Sequence, residues 1–197
     1  MIAGVLLAAG RSSRFGGDKL LAMLGGRSVI ERSATAVWAA VDELLVVMPV
    51  EHQALESALT TVAHRRVMNP DARGGMASSI ACGIAALPAN VEAAVIALGD
   101  QPLVRADVVR QLVQEWRASG APVVAPHYRD GRGHPVVFGR ECFGKLRMLE
   151  GDRGAAAVIQ SVADRVRLVR VDDDAPVDVD TPEALAALAR DASRPDS

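Results

Sequence analysis

The chain has 197 residues, with 22 basic against 24 acidic side chains and a net charge of −2. That balance excludes the one-sided basic excess that a nucleic-acid partner needs, but not the two or three placed cations that hold a small anion. Half the residues are hydrophobic and only 3% are aromatic, so a single domain of this size must build its core from Ala, Val, Leu and Ile.

The chain opens on an apolar run, Ile2–Ala8, read as a short buried strand. This run is too short to span a bilayer and has no basic segment before it. A soluble, cytoplasmic protein without membrane association is therefore expected. A loop rich in Gly, Arg and Ser follows through Lys19. Val29–Ala40 has helical spacing, Glu43–Met48 is the next strand, and Glu51–Thr60 is a helix before the short strand Arg65–Met68. Met76–Leu87 is a helix reached through Gly74 and Gly75. Ala93–Leu98 is a central strand, Arg105–Ser119 an amphipathic helix and Pro122–Pro126 a strand. Pro135–Phe138 is expected to run antiparallel. Short helices at Glu141–Leu149 and Gly154–Val162 lead to the last strand, Arg167–Val171. Thr181–Ala189 closes the chain as a helix, with Thr181 as N-cap and Pro182 in the first helical position. Residues 191–197 are polar and expected to fray.

Alternating strands and helices give an α/β fold: a Rossmann-like three-layer sandwich with a mostly parallel sheet and helices on both faces. One domain spanning 1–190 accounts for all of it. Cys82 and Cys142 have no metal or redox spacing and are read as ordinary buried thiols. In an open α/β sheet, ligands bind beyond the carboxyl ends of the strands. Three places then matter.

The first is the loop Gly10-Arg11-Ser12-Ser13-Arg14-Phe15-Gly16-Gly17-Asp18-Lys19. Its glycines let backbone N–H groups face an anion, and its three cations supply fixed charge. It has neither the middle glycine of a dinucleotide fingerprint nor the Gly-Lys-Ser/Thr ending of a Walker loop. The second is Gly99-Asp100-Gln101-Pro102, which leaves a carboxylate at the end of a buried strand. Such an oxygen donor suits Mg²⁺, though Asp before Pro is also an ordinary turn residue. The third is Asp178-Val179-Asp180-Thr181-Pro182-Glu183. Helix capping explains one acid there but not two. A spacing of two puts both on one side of an extended segment. Asp180 is the preferred metal ligand, with Asp178 as its competitor. Asp172-Asp173-Asp174 reads as a solvated turn.

Together, Leu-Ala-Ala-Gly-x-Ser-x-Arg-Phe-Gly-x-x-Lys from Leu7, Gly-Asp-Gln-Pro from Gly99, and Asp-Val-Asp-Thr-Pro-Glu from Asp178 resemble the nucleotidyltransferases of molybdenum cofactor maturation. The cytidylyl group resembles it most, over nearly the whole chain and in the same order. The resemblance implies a nucleotide site made by Leu7, Ala8, Ala9, Gly10, Arg11, Arg14, Lys19, Asn69, Ser78, Ser79 and Asp100. Within it, Arg14, Lys19 and Asp100 would be catalytic, and Asp100 with Asp180 would hold Mg²⁺. Ser78 and Ser79 fit plain helix-start chemistry equally well. The segments Gly131–Phe138 and Leu149–Gly154 look like the pterin-side segments of the cytidylyl group. They imply His134 and Asp152 as acceptor contacts, although His134 before Pro135 also fits a simple turn. Guanylyl members read Gly-Gly where this chain reads Ala8-Ala9, and the added methyls favour CTP over GTP.

The implied reaction moves CMP from CTP to the terminal phosphate of molybdopterin and releases pyrophosphate. A molybdoenzyme or its chaperone would be the partner receiving the product. Guanylyl transfer and nucleotidyl transfer to a sugar or polyol phosphate are the near rivals. An NAD(P)H-dependent oxidoreductase, or a nucleotide sensor without turnover, is the rival of another class.

Overall fold

A computed structural model of the chain describes residues 1–10, 15–151 and 154–192. Arg11, Arg14 and Asp152, assigned above to the nucleotide and the acceptor, lie outside the described residues, as does 193–197.

The strands, in chain order, are β1 (Ile2–Leu7), β2 (Met23–Leu24), β3 (Arg27–Ser28), β4 (Glu43–Pro49), β5 (Arg65–Asn69), β6 (Ala93–Leu98), β7 (Val123–Tyr128), β8 (Gly131–Arg132), β9 (Val136–Gly139) and β10 (Val166–Arg170). The helices are α1 (Val29–Trp38), α2 (Gln53–Ala58), α3 (Gly75–Ala85), α4 (Ala106–Ser119), α5 (Phe143–Arg147), α6 (Ala156–Gln160) and α7 (Pro182–Ala192). The main sheet runs β10-β7-β9-β6-β1-β4-β5, with β8 paired to β7. Along that path only β9 is antiparallel to its neighbours, β6 and β7, as the sequence suggests. β1 lies in the interior of the sheet, parallel to both β4 and β6.

Side chains alternate across the central strands, and both faces are apolar. Val5, Leu45, Val47, Ala94 and Ile96 face one layer, which includes Ile80 and Ile84 of α3, Leu146 of α5 and Val158 of α6. Leu6, Leu44, Val46 and Met48 face the other, against Ile30, Ala34 and Val37 of α1, Leu55 of α2 and Leu188 of α7. Val108, Val109 and Leu112 of α4 extend that second layer over Val95 and Val124. The result is a three-layer sandwich. Each fully buried aliphatic side chain stabilises it by about 1.5–3 kcal/mol, which replaces the aromatic residues the composition lacks. No helix among the described residues is long and apolar enough to cross a membrane.

Several element ends differ from the sequence reading, each for a local reason. Glu51 has φ 62, outside the helical region, so α2 starts later than expected, with His52 Nδ1 accepting from Leu55 N at 3.3 Å. Gly154 is left-handed at φ 53, so α6 begins only at Ala156. At the carboxyl end α7 runs on to Ala192, past the expected start of fraying. Its start is as expected: Ala184 N donates to Thr181 Oγ1 at 3.2 Å, and Pro182 opens the helix. The two-residue strands β2, β3 and β8 give no periodic signal and were not anticipated.

One glycine is required by packing where the sheet meets its functional edge. Gly99 N donates to Leu7 O at 2.9 Å, and a Cβ at Gly99 would stand 2.9 Å from that same oxygen and 2.8 Å from Ile30 Cδ1. Gly99→Ala should therefore lower stability by about 1–3 kcal/mol, because a backbone oxygen cannot move aside. Gly144→Ala, where a Cβ meets nothing within 4 Å, should be neutral or slightly stabilising in the same urea titration.

Candidate active site

The parallel strands deliver their carboxyl ends to one edge, and the three segments singled out by sequence meet there. β1 and β6 finish in register, Leu7 opposite Leu98. Beyond Leu98 the chain passes through Gly99, whose carbonyl accepts from the buried Ser33 hydroxyl at 3.0 Å. It then presents Asp100.

The acidic segment before α7 is pinned to this strand end. Val179 N donates to Asp100 O at 2.9 Å, and the Val179 side chain is fully buried in the same cluster as Leu20 and Ile30. With Val179 turned inward, Asp178 and Asp180 face away from that core, as their spacing of two requires. Their partners differ. Gln101 Nε2 donates to Asp178 Oδ1 at 2.9 Å and to Pro176 O at 3.2 Å. Asp180 Oδ1 accepts from Lys19.

Lys19 reaches the site from a short 3-10 turn, Lys19–Leu21. Asp18 caps that turn, its Oδ1 accepting from Leu20 N at 3.1 Å, and Leu20 anchors it in the core. His52 Nε2 lies 2.8 Å from Asp18 Oδ2, tying the start of α2 to the same turn. The Lys19 ammonium then donates to Asp100 Oδ2 at 2.6 Å and to Asp180 Oδ1 at 2.8 Å. Its side chain is only 8% exposed. Burial pulls the Lys19 pKa down, but the hydrogen bonds and negative charge of Asp100 and Asp180 outweigh this and hold it above its ordinary value. Lys19 therefore stays protonated. Burial pushes the Asp178 carboxyl up, with the charge of Asp100 adding to it and the Gln101 hydrogen bond opposing.

Asp100 and Asp180 could hold a divalent metal. Both are carboxylates, the hard oxygen donors that Mg²⁺ and Mn²⁺ take, and both already converge on one positive centre. Among the described residues no group of three or more His, Cys, Asp or Glu side chains could hold a metal ion. Two carboxylates suit a cation that completes its shell with phosphate oxygens and water.

The other sequence-selected residues fall into three places. Leu7, Ala8, Ala9 and Gly10 form the end of β1 and the start of the glycine loop. A cavity of about 250 Å³ opens there, lined in part by Ala8, Gly10, Gly17 and Asp18. Asn69, Ser78 and Ser79 form a separate cluster joining β5 to α3. The buried Asn69 donates through Nδ2 to both serine hydroxyls at 3.0 Å, and its Oδ1 accepts from Asp71 N at 3.0 Å. His134 lines a third region, a cavity of about 360 Å³ whose walls include Met76, Ile80, Val136, Phe138 and Ile159. The residues that sequence reasoning missed are the supports: Asp18 and His52 behind Lys19, and Gln101 and Val179 behind the two acids. Gln101 carried a signal, being a polar residue just past an all-apolar strand. The Val179 link had none, since it depends on a main-chain hydrogen bond between distant segments.

Burial pushes the His134 imidazole below its ordinary range, with the nearby charge of Asp100 opposing, so the fold favours the neutral ring. The unfolded chain then takes up the proton first as pH falls. Stability from this residue is full above the ordinary value of 6.5 and declines as pH drops through it. His134→Gln should flatten that decline in urea midpoints measured between about pH 5 and about pH 7.5. Identical slopes in mutant and parent would remove the buried neutral histidine from this account.

Similarity to known proteins fits this geometry. Residues 4–168 match the model of the MobA-like NTP transferase domain. The chain is 30% identical to the purine catabolism protein PucB of Bacillus subtilis, over 95% of each chain. It is 31% identical to a probable molybdenum cofactor guanylyltransferase of Thermococcus gammatolerans, over 68% of this chain and 66% of that one. Among solved structures it is similar to Rv0371c of Mycobacterium tuberculosis, with a TM-score of 0.86 at 31% identity over 96% of this chain and 97% of that one. The complex of Rv0371c with manganese matches with a TM-score of 0.83 at 29% identity, over 96% and 98%. With most of its length matched and its three motifs gathered at one sheet edge, the chain belongs to the MobA-like NTP transferase family of nucleotidyltransferases.

Proposed function

We propose that this protein transfers CMP from CTP to the terminal phosphate of a molybdopterin-type acceptor and releases pyrophosphate. The observation that carries the reading is the Lys19 ammonium bonded at once to Asp100 and Asp180, beside the glycine loop that follows β1. Cationic and anionic side chains from three distant segments meet where an α/β sheet binds its ligands.

In the proposed reaction an oxygen of the acceptor phosphate attacks the α-phosphorus of CTP. A new P–O bond forms, the bond from the α-phosphorus to the bridging oxygen breaks, and pyrophosphate leaves with that electron pair. The nucleophile is already anionic near neutral pH, since phosphomonoesters lose their second proton near pH 6, so no general base is required. The protein's task is alignment and charge neutralisation. Lys19, with Arg14 of the same loop, holds the β- and γ-phosphates as charge builds on the leaving group, and Arg11 adds a nucleotide contact. A divalent cation, Mg²⁺ in this reading, would be held by Asp100 and Asp180 and would neutralise phosphate oxygens. Leu7–Gly10 border the nucleotide, and Asn69, Ser78 and Ser79 shape its far side through their shared hydrogen bonds. In this reading His134 and Asp152 contact the acceptor. A neutral His134 suits an apolar-walled cavity next to a substrate that already brings negative charge.

CTP is preferred because Ala8 and Ala9, both buried, put methyl groups where guanylyl members have hydrogens. Guanylyl transfer is the second reading, favoured by the similarity to the Thermococcus protein named as a guanylyltransferase. Delivery of the product to a molybdoenzyme or its chaperone completes the proposal.

Pyrophosphate release should be measured with CTP, GTP, ATP and UTP in turn, with Mg²⁺ and molybdenum cofactor as acceptor. CTP should be turned over fastest. Faster turnover of GTP would replace the cytidylyl reading with the guanylyl one, and release only with a sugar or polyol phosphate would replace the acceptor. Lys19→Ala should reduce kcat by about a hundredfold or more, and an unaltered rate would remove Lys19 from the chemistry. Asp100→Asn and Asp180→Asn should each shift the Mg²⁺ titration to higher concentration, whereas Asp178→Asn should leave it near that of the parent. A shift in Asp178→Asn alone would reverse the assignment of the two acids.

A further inference from the structure

We propose that, in the nucleotide-free protein, the Lys19 ammonium occupies the position a divalent cation needs, so that metal binds well only together with a triphosphate that draws Lys19 away. The inference rests on the metal role given to Asp100 and Asp180 above and adds a competitor to it.

The argument begins with space. Asp100 Oδ2 and Asp180 Oδ1 both bond the same nitrogen, at 2.6 and 2.8 Å. Magnesium sits about 2.1 Å from its oxygens, so an ion bound to those two atoms would share the volume of the ammonium. Charge gives the same answer. An ammonium and a divalent ion in that space would repel strongly at low effective dielectric, and Lys19 is almost wholly buried.

The lysine is also built to let go. Its main chain is fixed, because Asp18 caps the turn and Leu20 is buried in the core. Its side chain is a flexible four-carbon stem ending in a point charge, so the head can move while the base stays. The cavity lined in part by Ala8, Gly10, Gly17 and Asp18 borders the turn that carries Lys19, and in this reading it receives the triphosphate. A triphosphate there gives the ammonium new oxygen partners as it leaves the carboxylates, which are then open to the metal that accompanies the nucleotide. Free metal brings no such anion and must displace the ammonium without replacing its partners. Lys19 thus acts twice: as a counter-ion that holds two neighbouring carboxylates in place, and as a phosphate ligand once substrate arrives.

The test uses Mn²⁺ alone as probe, with free Mn²⁺ followed by its paramagnetic resonance signal, on the nucleotide-free full chain. The parent is compared with Lys19→Met, Lys19→Gln and Asp180→Asn. Both Lys19 variants should bind Mn²⁺ on the order of tenfold more tightly than the parent, although they lose a cation useful in catalysis. Asp180→Asn should bind more weakly than the parent. Should Lys19→Met fail to fold, Lys19→Gln retains a hydrogen-bond donor for the carboxylates and carries the same comparison. Lys19 variants that bind Mn²⁺ no better than the parent, with Asp180→Asn weakened, would overturn the competition while leaving the metal site standing. Mn²⁺ binding that is indifferent to Asp180→Asn and Asp100→Asn would overturn the metal site itself, and this proposal with it.

Discussion

Two carboxylates held against one ammonium set the terms for the rest of this molecule. Lys19, Asp100 and Asp180 come from the first loop, the end of the sixth strand and the segment before the last helix, and they meet at hydrogen-bond distance, with the ammonium buried and the carboxylates partly exposed. Such a partly buried ion group is a poor source of stability, because desolvation offsets most of the attraction. Its formation must therefore be arranged by the surrounding structure rather than arrange it. The supports are apolar or main-chain: Leu20 and Val179 in the core, Gly99 against Leu7 O, and Val179 N on Asp100 O. The sandwich stabilises the site, and the site returns little stability to the sandwich.

This division of labour explains what was legible in the sequence. The strands β1, β4 and β6 are unbroken apolar runs because both faces are covered, and such runs stand out without any alignment. β9 was legible as antiparallel, and Thr181-Pro182 as a helix start, because each rests on a few adjacent residues. Lys19, Asp100 and Asp180 were legible as chemistry because charged residues at the edges of apolar runs are costly unless used. What could not be read is how they are held. The choice between Asp178 and Asp180 depends on which one Gln101 engages, and that depends on a main-chain bond between residues 79 positions apart in sequence, Asp100 and Val179. The caps supplied by Asp18 and His52 were hidden for a similar reason. An Asp beside a Lys looks like local charge balance until the turn between them is seen.

Asn69, Ser78 and Ser79 illustrate a different limit. The sequence left two readings for the serines, helix-start chemistry and contact with the nucleotide. In the fold their hydroxyls accept from the buried Asn69 side chain, while Ser78 Oγ lies within hydrogen-bond reach of Asp71 O at 2.7 Å and Gly75 O at 2.9 Å. The network makes the junction between β5 and α3 rigid. A rigid junction and a ligand contact are compatible, since a hydroxyl has acceptor capacity beyond one bond. The same hydroxyls can therefore serve both roles.

Charge also links the two halves of the site. Lys19, Asp100 and Asp180 together sum to −1, and Asp178 sits close enough for Asp100 to push its carboxyl up. A site with this surplus of negative charge would repel a bare triphosphate unless cations arrived with it or were already placed in the first loop. The fold places Lys19 among the acids; in the proposed reading the other cations of the first loop meet the phosphates. Asp100 also acts on His134: its charge favours the charged ring and burial favours the neutral one, and burial prevails. Arg132 lines the same cavity as His134, so that region carries a cation of its own beside the neutral ring.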